Sequence, residues 1–171
     1  MTLQERGEQI DRELMVERQK LKRRLESDYE KLEEQKEILR SDEANTDRSE
    51  NALFQIAKDK SEMYNQSITI VSKKIRAYDS YKELVYVPNG TVQIGSVVHL
   101  IHQSTAGNPP PANRPTEFRM KIVPTGLGNG RIGALSVNSE CAKQLIGMCA
   151  GETFKIYTHV GPCVYYIKEV Y

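Results

Sequence analysis

The stretch TDRSENALF, residues 46–54, sets Asp47 three residues before Glu50. Two chemistries suit that spacing. An Asp followed three residues later by Glu is a capping box, in which the two side chains satisfy free N–H groups at a helix start and contribute about 1 kcal/mol. The same carboxylates suit a hard cation. Mg²⁺ prefers an octahedron of oxygen ligands and usually binds through one or two carboxylates plus waters and phosphates, so a loop offering two acids can complete a site it does not build alone. In two-metal phosphodiester cleavage one ion stabilises the leaving oxygen and the other lowers the pKa of the attacking water. Arg40, Arg48 and Lys58 flank the pair. Such cations neutralise RNA phosphates irrespective of sequence, or else are solvated charges of a helix surface. The Asn51 amide suits ordering of the loop or capping of the helix.

Two long amphipathic patterns position this stretch. Leu3 and Ile10, Leu14 and Leu21, and then Leu25, Leu32 and Leu39 repeat at sevens, which is a heptad seam. RQKLKRR and EKLEEQKE between them place opposite charges three and four residues apart, as on an exposed helix face. After residue 52 a second seam runs Ala57, Tyr64, Ile68, Val71, Ile75 and Tyr78. The polar connection RSDEANTDRSE lets the second helix fold back, so residues from about 5 to 40 and 50 to 79 are expected to form one antiparallel hairpin, with an acidic tip near 41–50. A helix of roughly 35 residues is about 50 Å long.

The composition changes abruptly at residue 80. Residues 1–80 hold 16 Lys/Arg against 18 Asp/Glu, with no Pro and only Gly7, whereas residues 81–171 hold 8 against 5, all seven Pro and the other ten Gly. The expected domains are therefore 1–80, a coiled-coil hairpin, and 81–171, a small sheet. TVQIGSVVHLIH (91–102), EFRMKIV (117–123), TFKIYTH (153–159) and CVYYIKEVY (163–171) read as strands. NSECAKQLIGM (138–148) reads as a short helix with a Ser cap and a Gly stop. The fold class is α+β: a long antiparallel hairpin followed by an antiparallel sheet with one short helix. STAGNPPPANRPTE (104–117), with its four Pro, is an exposed excursion between strands.

Several function classes are excluded or disfavoured. No apolar run reaches the roughly 18 residues of a membrane span, and MTLQERGEQIDREL lacks the apolar core of a signal peptide, so a cytoplasmic protein without a membrane is expected. Cys141, Cys149 and Cys163 show no metal-ligand spacing and read as reduced thiols, mostly core filler. His99, His102 and His159 lack an acidic or Cys partner at ligand spacing and read as exposed strand residues. The net charge of +1 gives no global attraction to nucleic acid.

The ordered set of motifs, SENA after the helical turn, then IGSVV, then LSVNSECAKQLIG, closing on YYIKEV, resembles the Gre family of bacterial transcript cleavage factors from about residue 5 to 171. The resemblance implies an FKBP-like second domain that docks on RNA polymerase, and a hairpin that enters the channel through which nucleotides pass. It implies a monomeric transcription elongation factor, not itself an enzyme, that stimulates the polymerase to cut the backtracked RNA 3′ end. Asp47 and Glu50 match the family's tip acids, which help hold a Mg²⁺ shared with the polymerase, Asp47 more directly and Glu50 in support. Two positions depart from the family pattern: Thr46 stands where a Gly is common, and Leu53 where an acid is common. Some relatives occupy the channel without stimulating cleavage, which is the alternative reading.

Two other classes remain distinguishable. A prolyl isomerase needs a concave aromatic pocket, but this half has no Trp, and Phe154, Tyr157, Tyr165 and Tyr166 sit on strands where packing accounts for them. A coiled-coil adaptor needs an apolar stripe outside the hairpin seam, where only Met15, Val16 and Met63 are scattered.

Overall fold

The computed structural model describes residues 1–43, 52–82, 86, 88–103, 116–158 and 161–171. Helix α1 runs Leu3–Glu43 and α2 runs Ala52–Lys82; strands β1 (Val97–Gln103), β2 (Glu117–Val123) and β3 (Ala134–Ser136) follow, then helix α3 (Glu140–Leu145) and strands β4 (Thr153–Thr158) and β5 (Gly161–Val170). The chain divides into two compact units. One comprises Met1–Met15 with Ala77–Tyr171, the other Val16–Arg76.

The Val16–Arg76 unit is the shaft of the helical hairpin. Leu32 of α1 and Ala57, Ile68, Val71 and Ile75 of α2 are buried, while Leu21, Leu25 and Leu39 are half-buried. Each buried aliphatic side chain contributes about 1.5–3 kcal/mol relative to exposure, which is what holds two otherwise polar helices together. A polar layer interrupts the seam. Arg24 Nη2 donates to Ser67 Oγ at 3.1 Å, and Ser67 Oγ donates to the buried Asp28 at 2.7 Å. That layer favours the observed register, since a slipped hairpin would take the Ser67 donor away from Asp28 and leave it only the Arg24 guanidinium of its own helix, at 3.7 Å. Ser61 Oγ is buried with no hydrogen-bond partner among the described residues.

In the other unit the helix bases and the sheet share a core. Helix α1 opens on a reciprocal capping box: Glu5 N donates to Thr2 Oγ1 at 3.1 Å and Thr2 N donates to Glu5 Oε2 at 2.7 Å. The five strands lie in the order β3-β2-β1-β5-β4. The pairs β1–β2, β1–β5 and β4–β5 are antiparallel, but β2–β3 is parallel, with Lys121 opposite Ala134 and Val123 opposite Ser136. The sheet is therefore mixed rather than antiparallel throughout. One face buries Val98, Leu100, Ile122, Phe154 and Ile167 against Ala142 and Leu145 of α3. Helix α3 is capped as its sequence indicates, Ala142 N donating to Ser139 Oγ at 3.2 Å.

The first strand begins later than its apolar run suggests. Gly95 takes φ +97°, a left-handed conformation that breaks TVQIGSVV before Val97, and its N–H donates to Ile122 O at 2.8 Å. A Cβ there would meet Tyr86 Cβ at 2.9 Å. Gly7, the one glycine of the helical half, has an equally concrete reason. It lies against β1 so closely that a Cβ would come within 2.7 Å of Val97 Cγ2.

Candidate functional site

Asp47, Arg48, Glu50 and Asn51 lie outside the described residues, between the last residue of α1 and the first of α2. The helices fix the ends of that connection. Arg40 is exposed in the last turn of α1, and Lys58 is exposed on α2, six residues beyond Ala52 and hence about 9 Å along its axis. The two cations thus flank the connection on separate helices. No acid occupies the first described turn of α2, and its N-terminal dipole favours ionised carboxylates in the residues just before it. An ionised carboxylate is an oxygen ligand for a hard cation.

Two acids nearby on the shaft, Glu33 and Asp59, are engaged. Lys36 donates to Glu33 at 2.6 Å, and this hydrogen bond holds the Glu33 carboxyl below its usual value. Gln55 donates to Asp59 at 2.9 Å. Among the described residues no group of three His, Cys, Asp or Glu side chains could hold a metal ion.

A second polar cluster, absent from the sequence reading, joins the helix bases to the sheet. Lys121 of β2 is 9% exposed and its Nζ donates to Asp11 Oδ2 of α1 at 2.6 Å. Tyr81 of α2 donates to the other oxygen of Asp11 at 3.1 Å, and the Lys121 ammonium lies 5.8 Å from the Tyr81 ring centroid. Burial, then the charge and hydrogen bond of Asp11, push the Tyr81 phenol far above its usual range. Together with Tyr86 and Gly95 these residues line a pocket of about 310 Å³. Nothing in local spacing pairs residues 11 and 121; the solitary Gly7 was the available signal that α1 packs on a sheet.

The histidines and cysteines depart from expectation in instructive ways. His99 is only 2% exposed, because the helix bases pack on its side of β1, and it is hydrogen-bonded to Glu117 Oε2 at 3.0 Å. That bond, with the charges of Lys168 and Arg119 behind it, holds Glu117 below the ordinary carboxyl value. His102 packs edge-on against Tyr165 at 5.2 Å, and His159 lies outside the described residues. Cys149 is exposed rather than core, whereas burial pushes the Cys141 thiol up to about 11. Phe154, opposite Tyr165 on β4, stacks on it at 5.5 Å, and Phe118 of β2 reaches it edge-on at 6.0 Å, but Tyr157 is 75% exposed with Lys155 over its ring. Packing therefore does not account for Tyr157.

The motif LSVNSECAKQLIG is largely structural. Ser139 caps α3, Ala142 and Leu145 enter the core, and Asn138, Glu140, Lys143 and Ile146 are left at the surface. No protein-family model and no curated protein matches the chain. Among solved structures, GreA factor homolog 1 (Gfh1) of Thermus thermophilus is 19% identical with a TM-score of 0.35, over 90% of this chain and 94% of that one. Gfh1 of Thermus aquaticus is 22% identical with a TM-score of 0.35, over 90% and 92%. A transcription elongation factor GreA/GreB from Nitrosomonas europaea is 18% identical with a TM-score of 0.38, over 64% of this chain and 90% of its own. The chain is thus similar to solved Gre-type structures, at a level where any role must be argued from its own residues.

Proposed function

We propose that the chain is a Gre-type transcription elongation factor that binds RNA polymerase, presents the hairpin tip to the catalytic centre through the nucleotide-entry channel, and stimulates cleavage of backtracked RNA. The observation that carries this reading is the acid pair Asp47 and Glu50 in the short connection between two helices of 41 and 31 residues. The surrounding motif set supports it. Asp47 and Glu50 would hold a Mg²⁺ jointly with the polymerase, since two carboxylates are too few to keep the ion alone. When bound, that ion supplies an activated water and charge neutralisation at the phosphodiester. Arg40, Arg48 and Lys58 meet the RNA backbone as nonspecific cations, and Asn51 orders the connection. The chain performs no chemistry without the polymerase, so it is a cofactor-presenting protein rather than an enzyme.

A second reading is favoured by Thr46 and Leu53, which replace the Gly and the acid common in the family; Leu53 is exposed at the start of α2. A tip so changed would occupy the channel without stimulating cleavage. The deciding experiment halts polymerase in a backtracked state and follows release of the RNA 3′ fragment with and without the chain while Mg²⁺ is titrated. Stimulated release supports the first reading. No stimulation at any Mg²⁺ concentration, together with competition against a cleaving factor, selects the second; neither stimulation nor competition overturns both.

A further inference from the structure

Two asparagines of the chain, Asn89 and Asn129, are followed by glycine, at Gly90 and Gly130. With no Cβ on the following residue, its peptide nitrogen approaches the asparagine side-chain carbon unhindered. The fold treats the two sites differently. Asn129 is fastened by its backbone: its N–H donates to Ala134 O at 2.8 Å, and its carbonyl accepts from Ala134 N at 3.0 Å and from Ile132 N at 3.2 Å. Pro88, Asn89 and Gly90 are exposed, and none of them makes a backbone–backbone hydrogen bond among the described residues. A Cβ on Gly90 would meet nothing within 4 Å. We propose that Asn89 is a site of spontaneous modification, at which its side-chain amide is converted to a carboxylate in aspartyl and isoaspartyl forms, while Asn129 is protected by the fold.

In the reaction the Gly90 peptide nitrogen gives its proton to hydroxide and attacks Asn89 Cγ. An N–Cγ bond forms, the Cγ–Nδ2 bond breaks, and Nδ2 leaves as ammonia with a proton from water. The succinimide ring so formed takes up one water across either of its two carbonyl–nitrogen bonds. One opening gives an aspartyl residue, the other an isoaspartyl residue whose main chain runs through Cβ and Cγ. Thr91 N donates to Asn89 Oδ1 at 3.0 Å, the oxygen on which negative charge develops during the attack. Asn129 has the same help, from Arg131 N at 3.1 Å, so this bond does not separate the two sites. The backbone does. Closing the ring turns the asparagine main chain, which at Asn129 first requires its three backbone hydrogen bonds to open. The product bears on the fold through Val92, which is 1% exposed and anchored, donating to Met148 O at 2.8 Å and accepting from Gly147 N at 2.9 Å. The isoaspartyl form lengthens the main chain by one atom ahead of that anchor, where the bridge between Thr91 and Cys149 has to absorb it.

The test incubates the folded full-length chain at mildly alkaline pH and follows both asparagines by mass spectrometry of tryptic peptides, which cleavage at Lys121 separates. Asn89 should convert at least about tenfold faster than Asn129, because the ring at Asn129 waits on local opening. In urea the two rates should draw together, since each asparagine then has only its glycine to set the pace. Gly90→Ala should slow conversion of Asn89 at least about tenfold, by placing a methyl beside the attacking nitrogen. The proposal is overturned if Asn89 stays intact in the folded chain over the time in which it converts in urea. It is equally overturned if Asn89 and Asn129 convert alike in the folded chain, or if Gly90→Ala leaves the rate at Asn89 unchanged.

Discussion

The Lys121 ammonium is buried and answered by one carboxylate, Asp11, across 2.6 Å. Removing Asp11 leaves the buried Lys121 charge unanswered, but Asp11 itself is 41% exposed, so Asp11→Ala should cost about 2 kcal/mol of stability, measured by urea unfolding. Tyr81→Phe removes only one hydrogen bond to the same carboxylate and should cost about 1 kcal/mol. Equal small losses in both variants would show that Lys121 is not dependent on Asp11. Glu117 gives a pH signature. Its folded-state pKa is depressed, chiefly by the hydrogen bond from His99, below the ordinary 4.5. The stability it contributes is therefore present above about pH 4.5 and lost as pH falls through the folded value. Glu117→Gln should melt lower than the unsubstituted chain at neutral pH, and the gap should close as pH is lowered to 3. A gap independent of pH would count against the pairing. Neither partnership was legible in the sequence. Asp11 and Lys121 are 110 residues apart, and His99 and Glu117 belong to different strands; only folding brings either pair together.

Among the elements, the helices were the most legible, because a heptad seam states both the period and the partner. Their observed bounds, Leu3–Glu43 and Ala52–Lys82, extend the expected spans by a few residues at described ends, where a capping box and a terminal Lys carry them on. EFRMKIV was read to the residue, since Pro124 stops it. The first strand was not, because Gly95 turns the chain inside a continuous apolar run. Strand β3 was missed: three residues cannot display a period of two, and their parallel pairing with β2 has no hairpin signal. The exposure of Ile56 and Ile70 beside Met63 was missed too, since neither was placed in the seam or on the face outside it. At this scale the sharpest prediction concerns Ser61. Its hydroxyl is buried without a partner among the described residues, so Ser61→Ala should raise stability by about 1 kcal/mol in thermal or urea unfolding. A loss instead would mean that the hydroxyl is bonded in solution.

At the scale of the whole molecule, the step in composition at residue 80 marks where helices give way to sheet, and the compact units are drawn differently. The first fifteen residues belong with the sheet, through Gly7 against Val97, Arg6 donating to Ile132 O at 2.8 Å, and Asp11 on Lys121. Composition records what each segment is made of, not which segments pack together. The proposed role needs both parts, a sheet unit that docks and a hairpin that carries Asp47 and Glu50. The most direct test of that role is the rate of RNA cleavage in a backtracked polymerase complex with Asp47→Ala and Glu50→Ala chains, alongside their binding to polymerase. If the acids hold the ion, each variant should bind nearly as well as the unsubstituted chain and lose ~2–3 kcal/mol of transition-state stabilisation, roughly 30- to 150-fold in stimulated rate. If both variants stimulate cleavage at the unsubstituted rate and only melt lower, by the ~1 kcal/mol of a lost cap, Asp47 and Glu50 start a helix and the proposed function is wrong.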